Sequence, residues 1–470
     1  MEHMRRFKEL NLQNTEGSQG DFSSRAFTNT ASVQQYQKGE LLGAVFNPYA
    51  APEAEQHFAV VGGEYVQCYR VVKEVNNLEH VWGIHFPNSP DEKKSHRKPD
   101  DPTSEELPVD DRKEILYCVA WAFDTFDHKN GGDPYKIICG GVLGFIYVVD
   151  FATRQLDNRL QSFGGDINEI RTCPTNSDLI ACASSDQSIR VLHIRNSQCL
   201  ICIGGLASHP SMVLSVDWHY TGEYLVTGGM DHQVMKWDLS TFIVKSHLKY
   251  TCDELAKGKR NIFGPQVTKP PQIKPVPPRK MCPDDTGKVK QVMESLDYAV
   301  DKVYHIYTPM AVCSDLHTNY VDCVRFLPGS DVIVSKDCGE QPTVNIFRFG
   351  AGVPRNEDAI PMKEPETCTT KIMSVTNDNG EVWFTKFAID PRRRWLVCGC
   401  TRGIVNFIDL KYRDRPKINF SLTICQNTIR QVDFSPCGRF MVASGDDMRI
   451  VRLDRVPDTV DVSLLAKFNK

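Results

Sequence analysis

Ala207-Ser-His209, an apolar strand ending at Trp218, the turn Gly228-Gly229-Met230-Asp231 and a closing Trp237-Asp238 form the stretch that decides the fold. The order His, strand, turn Asp, Trp-Asp marks one four-stranded blade of a β-propeller. A single blade cannot bury both faces of its sheet, so this unit demands neighbours of the same kind.

Six degenerate copies answer that demand, and strand rhythm identifies them better than any dipeptide. Phe46, Phe58-Ala-Val-Val-Gly62 and Val66-Gln-Cys-Tyr69 belong to the first blade. Leu116 to Trp121, Ile137-Ile-Cys139 and Gly144 to Asp150 belong to the second. The third runs from Ile167 through Leu179 to Ala183 and the turn Asp186 to Leu192-His193, where Leu-His replaces Trp-Asp. After the opening blade, which is the fourth, Tyr320 to Phe326, Val332 to Val334 and Val344 to Phe347 give a fifth. Trp383 to Phe387, Trp395 to Cys398 and Val405 to Asp409 give a sixth, and Ile429 to Phe434, Phe440 to Ala443 and Ile450 to Asp454 a seventh. Uninterrupted blades repeat every ~45 residues, the WD40 period. The expected architecture is therefore all-β, a seven-bladed WD40 propeller over residues 37–460, with His209, His317, Asp231, Asp446 and Trp237 as hydrogen-bonding and core residues within their blades.

Residues 1–36 are rich in Ser, Gln, Asn and Thr and read as a flexible polar tail, with a second tail over 461–470. Loop insertions are expected at about 88–112, 246–316 and 350–378. The middle one contains Lys269-Pro-Pro-Gln-Ile-Lys-Pro-Val-Pro-Pro278, a composition that favours extended polyproline-like chain. A formal net charge of -4 opposes a nonspecific hold on nucleic acid, although one basic face is compatible with that balance. No apolar run has the length of a membrane span and the start lacks a signal-peptide core, which predicts an intracellular protein with no membrane partner. The 17 cysteines are scattered, and Cys199-Leu-Ile-Cys202 has no second pair, so neither a metal site nor a cofactor is expected. Cys398 and Cys400 would face one side of a strand as packed, reduced thiols.

No phosphate-binding Gly-rich loop, nucleophile elbow or His-Glu-x-x-His is present, which argues against an enzyme of those kinds. The central channel is the remaining place for chemistry. Counting back four residues from the strand-end anchors Phe46, Trp121, Thr172, Trp218, Phe326, Phe387 and Phe434 gives Leu42, Tyr117, Asn168, Leu214, Asp322, Trp383 and Arg430. These should form one ring at the channel mouth, with Phe384 beside Trp383. Aromatic rings next to an arginine suit a bound cation better than hydrolysis.

Asn319-Tyr-Val-Asp-Cys-Val-Arg-Phe326, Gly228 to Trp237, Tyr117-Cys-Val-Ala-Trp121, Val382-Trp-Phe-Thr-Lys-Phe387 and Ile429-Arg-Gln-Val-Asp-Phe434 resemble segments of the extra sex combs/EED family, the WD40 subunit of Polycomb repressive complex 2. The likeness covers roughly residues 38 to 456. It implies a nuclear, non-catalytic scaffold that binds a helical segment of a SET-domain methyltransferase of the enhancer-of-zeste type on one face and activates it. It further implies contacts with other Polycomb subunits and, on the other face, an aromatic cage for a trimethylated lysine of the histone H3 tail.

Carried over by position, the methyl-lysine-binding candidates are Leu42, Tyr117, Trp383, Phe384 and Arg430. Phe384 stands where the family has tyrosine, and Leu42 where it has phenylalanine. Losing one aromatic wall weakens a cation–π site by about 0.5 to 2 kcal/mol. Direct sequence-specific binding of nucleic acid is not expected. Two other readings are open to the residues alone: a general WD40 adaptor, such as a ubiquitin-ligase substrate receptor, and a propeller enzyme using Asp322 and Arg430.

Overall fold

The computed structural model describes residues 26–35, 39–73, 77–86, 113–160, 163–196, 199–257, 303–350, 365–411 and 417–456. Among the described residues, seven separate sheets contain all of the strands, one sheet per blade. Blade one consists of Gly43–Phe46, His57–Gly62, Tyr65–Val72 and Asn77–His85, and blades two to six repeat this antiparallel order from the channel outwards.

The seventh blade is built from both ends of the chain. Its inner strands are Ile429–Phe434, Phe440–Gly445 and Arg449–Arg455, and its outer strand is Phe27–Gln34, which pairs antiparallel with Arg449–Arg455. The expected polar tail is thus corrected over these residues. The reason is that an outermost strand needs ladder partners more than burial: only Phe27 is fully buried, and the following Thr, Asn and Ser residues are partly exposed. Phe27 packs between Phe407 of blade six and Phe434 of blade seven, with centroids 5.6 and 5.7 Å away.

The same physical reason corrects two expected insertions. Thr369–Thr376 is the outer strand of blade five, and Ala311–Cys313 that of blade four. Within the span expected as a loop from residue 246, the chain instead continues a helix, Phe242–Leu255, whose Val244, His247, Thr251 and Leu255 are buried at helical spacing. Tyr304–Ile306 then adds a fifth, parallel strand to blade three against Cys199–Ile203. The proline-rich run itself, the insertion at 88–112 and the C-terminal tail lie outside the described residues.

Neighbouring blades are stitched through the anchor residues. Trp121 Nε1 donates to the Val45 carbonyl at 2.9 Å, Thr172 Oγ1 to the Trp121 carbonyl at 2.6 Å, and Trp218 Nε1 to the Arg171 carbonyl at 2.9 Å. The Phe46 N–H reaches Asp433 Oδ2 at 2.7 Å, which joins blade one to blade seven.

Within blade four, His209 bridges Asp231 (2.8 Å) and Thr227 (2.7 Å), and Trp237 Nε1 donates to the same Thr227 hydroxyl. Blade five repeats this with His317, Asp337 and Ser335. These buried polar groups are satisfied by one another, the condition for leaving them in a core. The 16 described cysteines are all unpaired thiols, and no group of residues able to hold a metal ion occurs among the described residues.

Candidate functional site at the channel mouth

A β-bulge in the innermost strand sets five of the seven mouth positions. In blades two, three, four, five and seven the pairing register skips one residue, and the skipped residues are Tyr117, Asn168, Leu214, Asp322 and Arg430. A bulge re-aims its side chain relative to the ladder, so one local device repeated around the ring directs five side chains.

Their destinations differ. Asn168, Leu214 and Asp322 turn into protein and are 3 %, 0 % and 0 % exposed. The Asn168 amide donates to the Val213 carbonyl at 2.8 Å. Asp322 pairs with Lys336 at 2.7 Å and accepts the Thr385 N–H at 3.1 Å. Only Tyr117 and Arg430 of these five remain partly open at the mouth, so the expected seven-membered ring is corrected to a cluster on one side. Asp322 and Arg430, the pair considered for catalysis, are each held in a different ion pair.

Blade six departs from the count. Ile389 faces Leu396 as Phe434 faces Met441 in blade seven, so the residue in register with Arg430 is Thr385, and Trp383 lies two residues further out. Phe384 has a φ of 60°, in the left-handed region that non-glycine residues seldom adopt. On either side of this turn, Trp383 stands 43 % exposed while Phe384 is only 7 % exposed.

The structure does bring the aromatic candidates together. The Tyr117 ring meets Phe384 with centroids 5.5 Å apart at 63°, and Trp383 meets Phe384 at 5.8 Å and 79°. Both are edge-to-face contacts of the kind that aromatic quadrupoles favour. Burial, with the carboxylates of Asp166, Glu114 and Glu40 nearby, raises the Tyr117 pKa, which keeps the phenol protonated.

Arg430 braces the cluster: its Nη1 donates to the Trp383 carbonyl at 2.9 Å while Nε and Nη2 grip the two oxygens of Asp446 at 2.5 and 2.9 Å. Leu42 is 7 % exposed and, with Tyr117 and Val45, lines a channel cavity of about 20 Å³.

Beneath the aromatics lies a charged layer. Lys386 Nζ sits 5.2 Å from the Phe384 centroid, donates to the carbonyls of Leu214 (2.8 Å) and Asp322 (2.6 Å), and is 3.6 Å from Glu169. Glu169 also pairs with Arg325 at 2.5 Å. Burial alone would push the Glu169 carboxyl up, but Arg325, Lys386 and Arg171 together hold it down at about 2. Sequence reading missed Lys386, Glu169 and the role of Asp446. The signal was available one rung along: Glu169 immediately follows the mouth residue Asn168, and Lys386 immediately follows Thr385, the residue in register with Arg430.

A ring of seven blades with His-Asp pairs buried inside two of them, and an aromatic cluster at one mouth, defines a WD40 propeller. The pattern described as "WD domain, G-beta repeat" matches residues 200–238 and 418–451. Over 475 aligned residues, covering 100 % of both chains, the sequence is 41 % identical to Polycomb protein mes-6 of Caenorhabditis elegans. It is 24 % identical to Polycomb protein esc of Drosophila melanogaster over 92 % of this chain and 85 % of that one.

Among solved structures, a chain of the Chaetomium thermophilum Polycomb repressive complex 2 superposes with a TM-score of 0.64 at 19 % identity, covering 92 % of this chain and 98 % of that one. A chain from a structure of that complex with H3K27me3 gives 0.63 at 18 %, covering 93 % and 99 %. The chain belongs to the extra sex combs/EED family of Polycomb WD40 proteins. It is accordingly a non-catalytic Polycomb subunit with a role at chromatin, and the ligase-adaptor reading is not favoured.

Proposed function

We propose that this protein is the scaffold and activating subunit of a Polycomb histone H3 lysine methyltransferase complex in the nucleus. Its partner would be a SET-domain enzyme of the enhancer-of-zeste type. The observation that carries the reading is full-length similarity to a Polycomb protein, together with two chemically distinct faces on one ring. The mouth face carries Trp383 and Tyr117. The opposite face, where the first two strands of each blade are joined, carries Tyr220, Phe242, Ile243 and Tyr250, each at least 40 % exposed. An apolar stripe of this kind suits an amphipathic helix of the enzyme.

At the mouth, Trp383, Tyr117, Phe384 and Arg430, with Leu42 in the fourth wall, form a reduced reader for trimethyl-lysine of the H3 tail. Cation–π attraction requires an accessible ring face near the ligand. Trp383 offers one, Tyr117 a partial one, and Phe384 almost none, so binding is weaker than a full aromatic cage would give.

Co-purification of the full-length protein with its SET-domain enzyme, wild type against Trp383→Ala, tests the assignment of faces. A stable complex is expected in both cases. Dissociation of the Trp383→Ala complex, with the fold retained by circular dichroism, would contradict it.

A further inference from the structure

The inner strand of every blade starts at the mouth, so the turns that follow these strands lie on the opposite face. In blades six and seven those turns contain Arg392, Arg393, Arg394 and Arg439. All four are exposed. Arg394 stacks on Trp395 at 5.1 Å and reaches Asp409 at 3.4 Å, but Arg392, Arg393 and Arg439 make no ion pair among the described residues. Asp390, the carboxylate at the base of the turn, is 0 % exposed and already paired with Arg455 at 2.7 Å.

These arginines form one patch on blades six and seven that reaches the edge of blade five. Arg392 Nε and Arg455 Nη2 both lie 3.8 Å from where a Cβ at Gly438 would stand, so blade six reaches the turn of blade seven. Arg393 extends the other way, its Nη2 2.8 Å from the corresponding point above Gly329 of blade five. The apolar residues of this face, Tyr220 and Phe242 among them, belong to blade four. One face is therefore divided into an apolar sector and a basic sector.

We propose that the basic sector binds the phosphodiester backbone of nucleic acid, without reading its sequence. Guanidinium forks match phosphate oxygens, and unpaired exposed arginines can contact them without first breaking an internal ion pair. Tight turns present no helix or ribbon to enter a groove, which leaves backbone contacts as the mode of recognition. A patch of this kind is consistent with a net charge of -4, because the positive charge is local. An acidic protein segment is the competing occupant. The nucleic acid is favoured because three unpaired forks on two neighbouring turns suit repeated phosphates along one backbone and because the chain acts at chromatin.

Fluorescence anisotropy of the purified full chain with labelled mixed-sequence duplex DNA, and separately with single-stranded RNA, across a salt series tests the proposal. The combined variant Arg392→Gln, Arg393→Gln, Arg439→Gln should weaken binding by about tenfold or more and reduce the salt slope by roughly 2 to 3, near 0.9 per lost phosphate contact. Lys113→Gln, on the mouth side, should change neither. The arm that binds more tightly identifies DNA or RNA as the preferred source. Absence of binding by the wild type would overturn the proposal, as would a folded triple variant that binds as tightly with the same slope. So would a triple variant that keeps nucleic acid but loses a protein partner. Neither arm contains the SET-domain enzyme, so failure here is separable from failure of the scaffold role.

Discussion

Lys386 places its ammonium group 5.2 Å from the centroid of Phe384, so a candidate aromatic wall of the mouth already faces a cation from within the protein. Two backbone carbonyls and Glu169 hold that ammonium in place. Phe384 is consequently a foundation for the proposed site, whose accessible rings are Trp383 and Tyr117.

Trp383 and Phe384 should therefore respond differently to truncation. Trp383→Ala removes a half-exposed ring, with a stability change expected within about 1 kcal/mol, and abolishes the preference for a trimethylated over an unmethylated H3 peptide. Phe384→Ala empties a buried position and should cost about 3 to 5 kcal/mol. Denaturant melts and peptide titrations of both variants check the split.

Leu42 tests the fourth wall. Leu42→Phe restores a π face beside Tyr117 and should tighten a trimethyl-lysine peptide several-fold, with little change for the unmethylated control. The adjoining cavity of about 20 Å³ cannot take a whole ring, so a loss of about 1 to 3 kcal/mol in stability is expected to accompany the gain. Calorimetric titration and thermal melting report the two effects separately.

Glu169 makes the propeller acid-sensitive. Its carboxyl is held at about 2 in the folded ring against 4.5 for an ordinary glutamate, so the unfolded chain takes up a proton that the folded one refuses. This contribution is complete above pH ~4.5 and is withdrawn as the pH falls from there through ~2. Glu169→Gln should flatten stability over that window. At neutral pH it should cost about 3 to 5 kcal/mol, because Arg325 and Lys386 lose their shared carboxylate. Urea midpoints measured across the acid range give both numbers.

Ring closure depends on Phe27. Phe27→Ala removes a fully buried ring from between blades six and seven and should destabilise the whole propeller by about 3 to 5 kcal/mol, without leaving a separate partly folded transition. Chemical denaturation followed by tryptophan fluorescence and by circular dichroism should give coincident curves at a lower midpoint.

The parts legible in the sequence were those with two constraints on each residue. Inner strands pack on both faces and against the next blade, so the anchors Trp121, Trp218 and Phe434 stand out in apolar runs. Outer strands have one open edge, and Phe27–Gln34 and Thr369–Thr376 look polar because little of them is buried. Helix Phe242–Leu255 was concealed by lying beside a proline-rich run.

At the site, Tyr117 and Arg430 were found by register because the bulge recurs at the same place. Trp383 was reached by a count that is two residues out of step with its strand pairing. The count picked it because Phe387 is the first residue of its short strand rather than the last. Lys386 follows Thr385, the in-register residue, so the two-residue miscount in blade six hid it, and its role depends on charges contributed by other blades.

The proposed role is that the chain activates a methyltransferase that it does not itself contain. Its most direct test is the rate of H3 lysine methylation on nucleosomes by the purified SET-domain enzyme and its remaining subunits, with and without this protein. A marked rise in rate is expected when the protein is added, with no methylation by the protein alone. An equal rate with the protein omitted would contradict it.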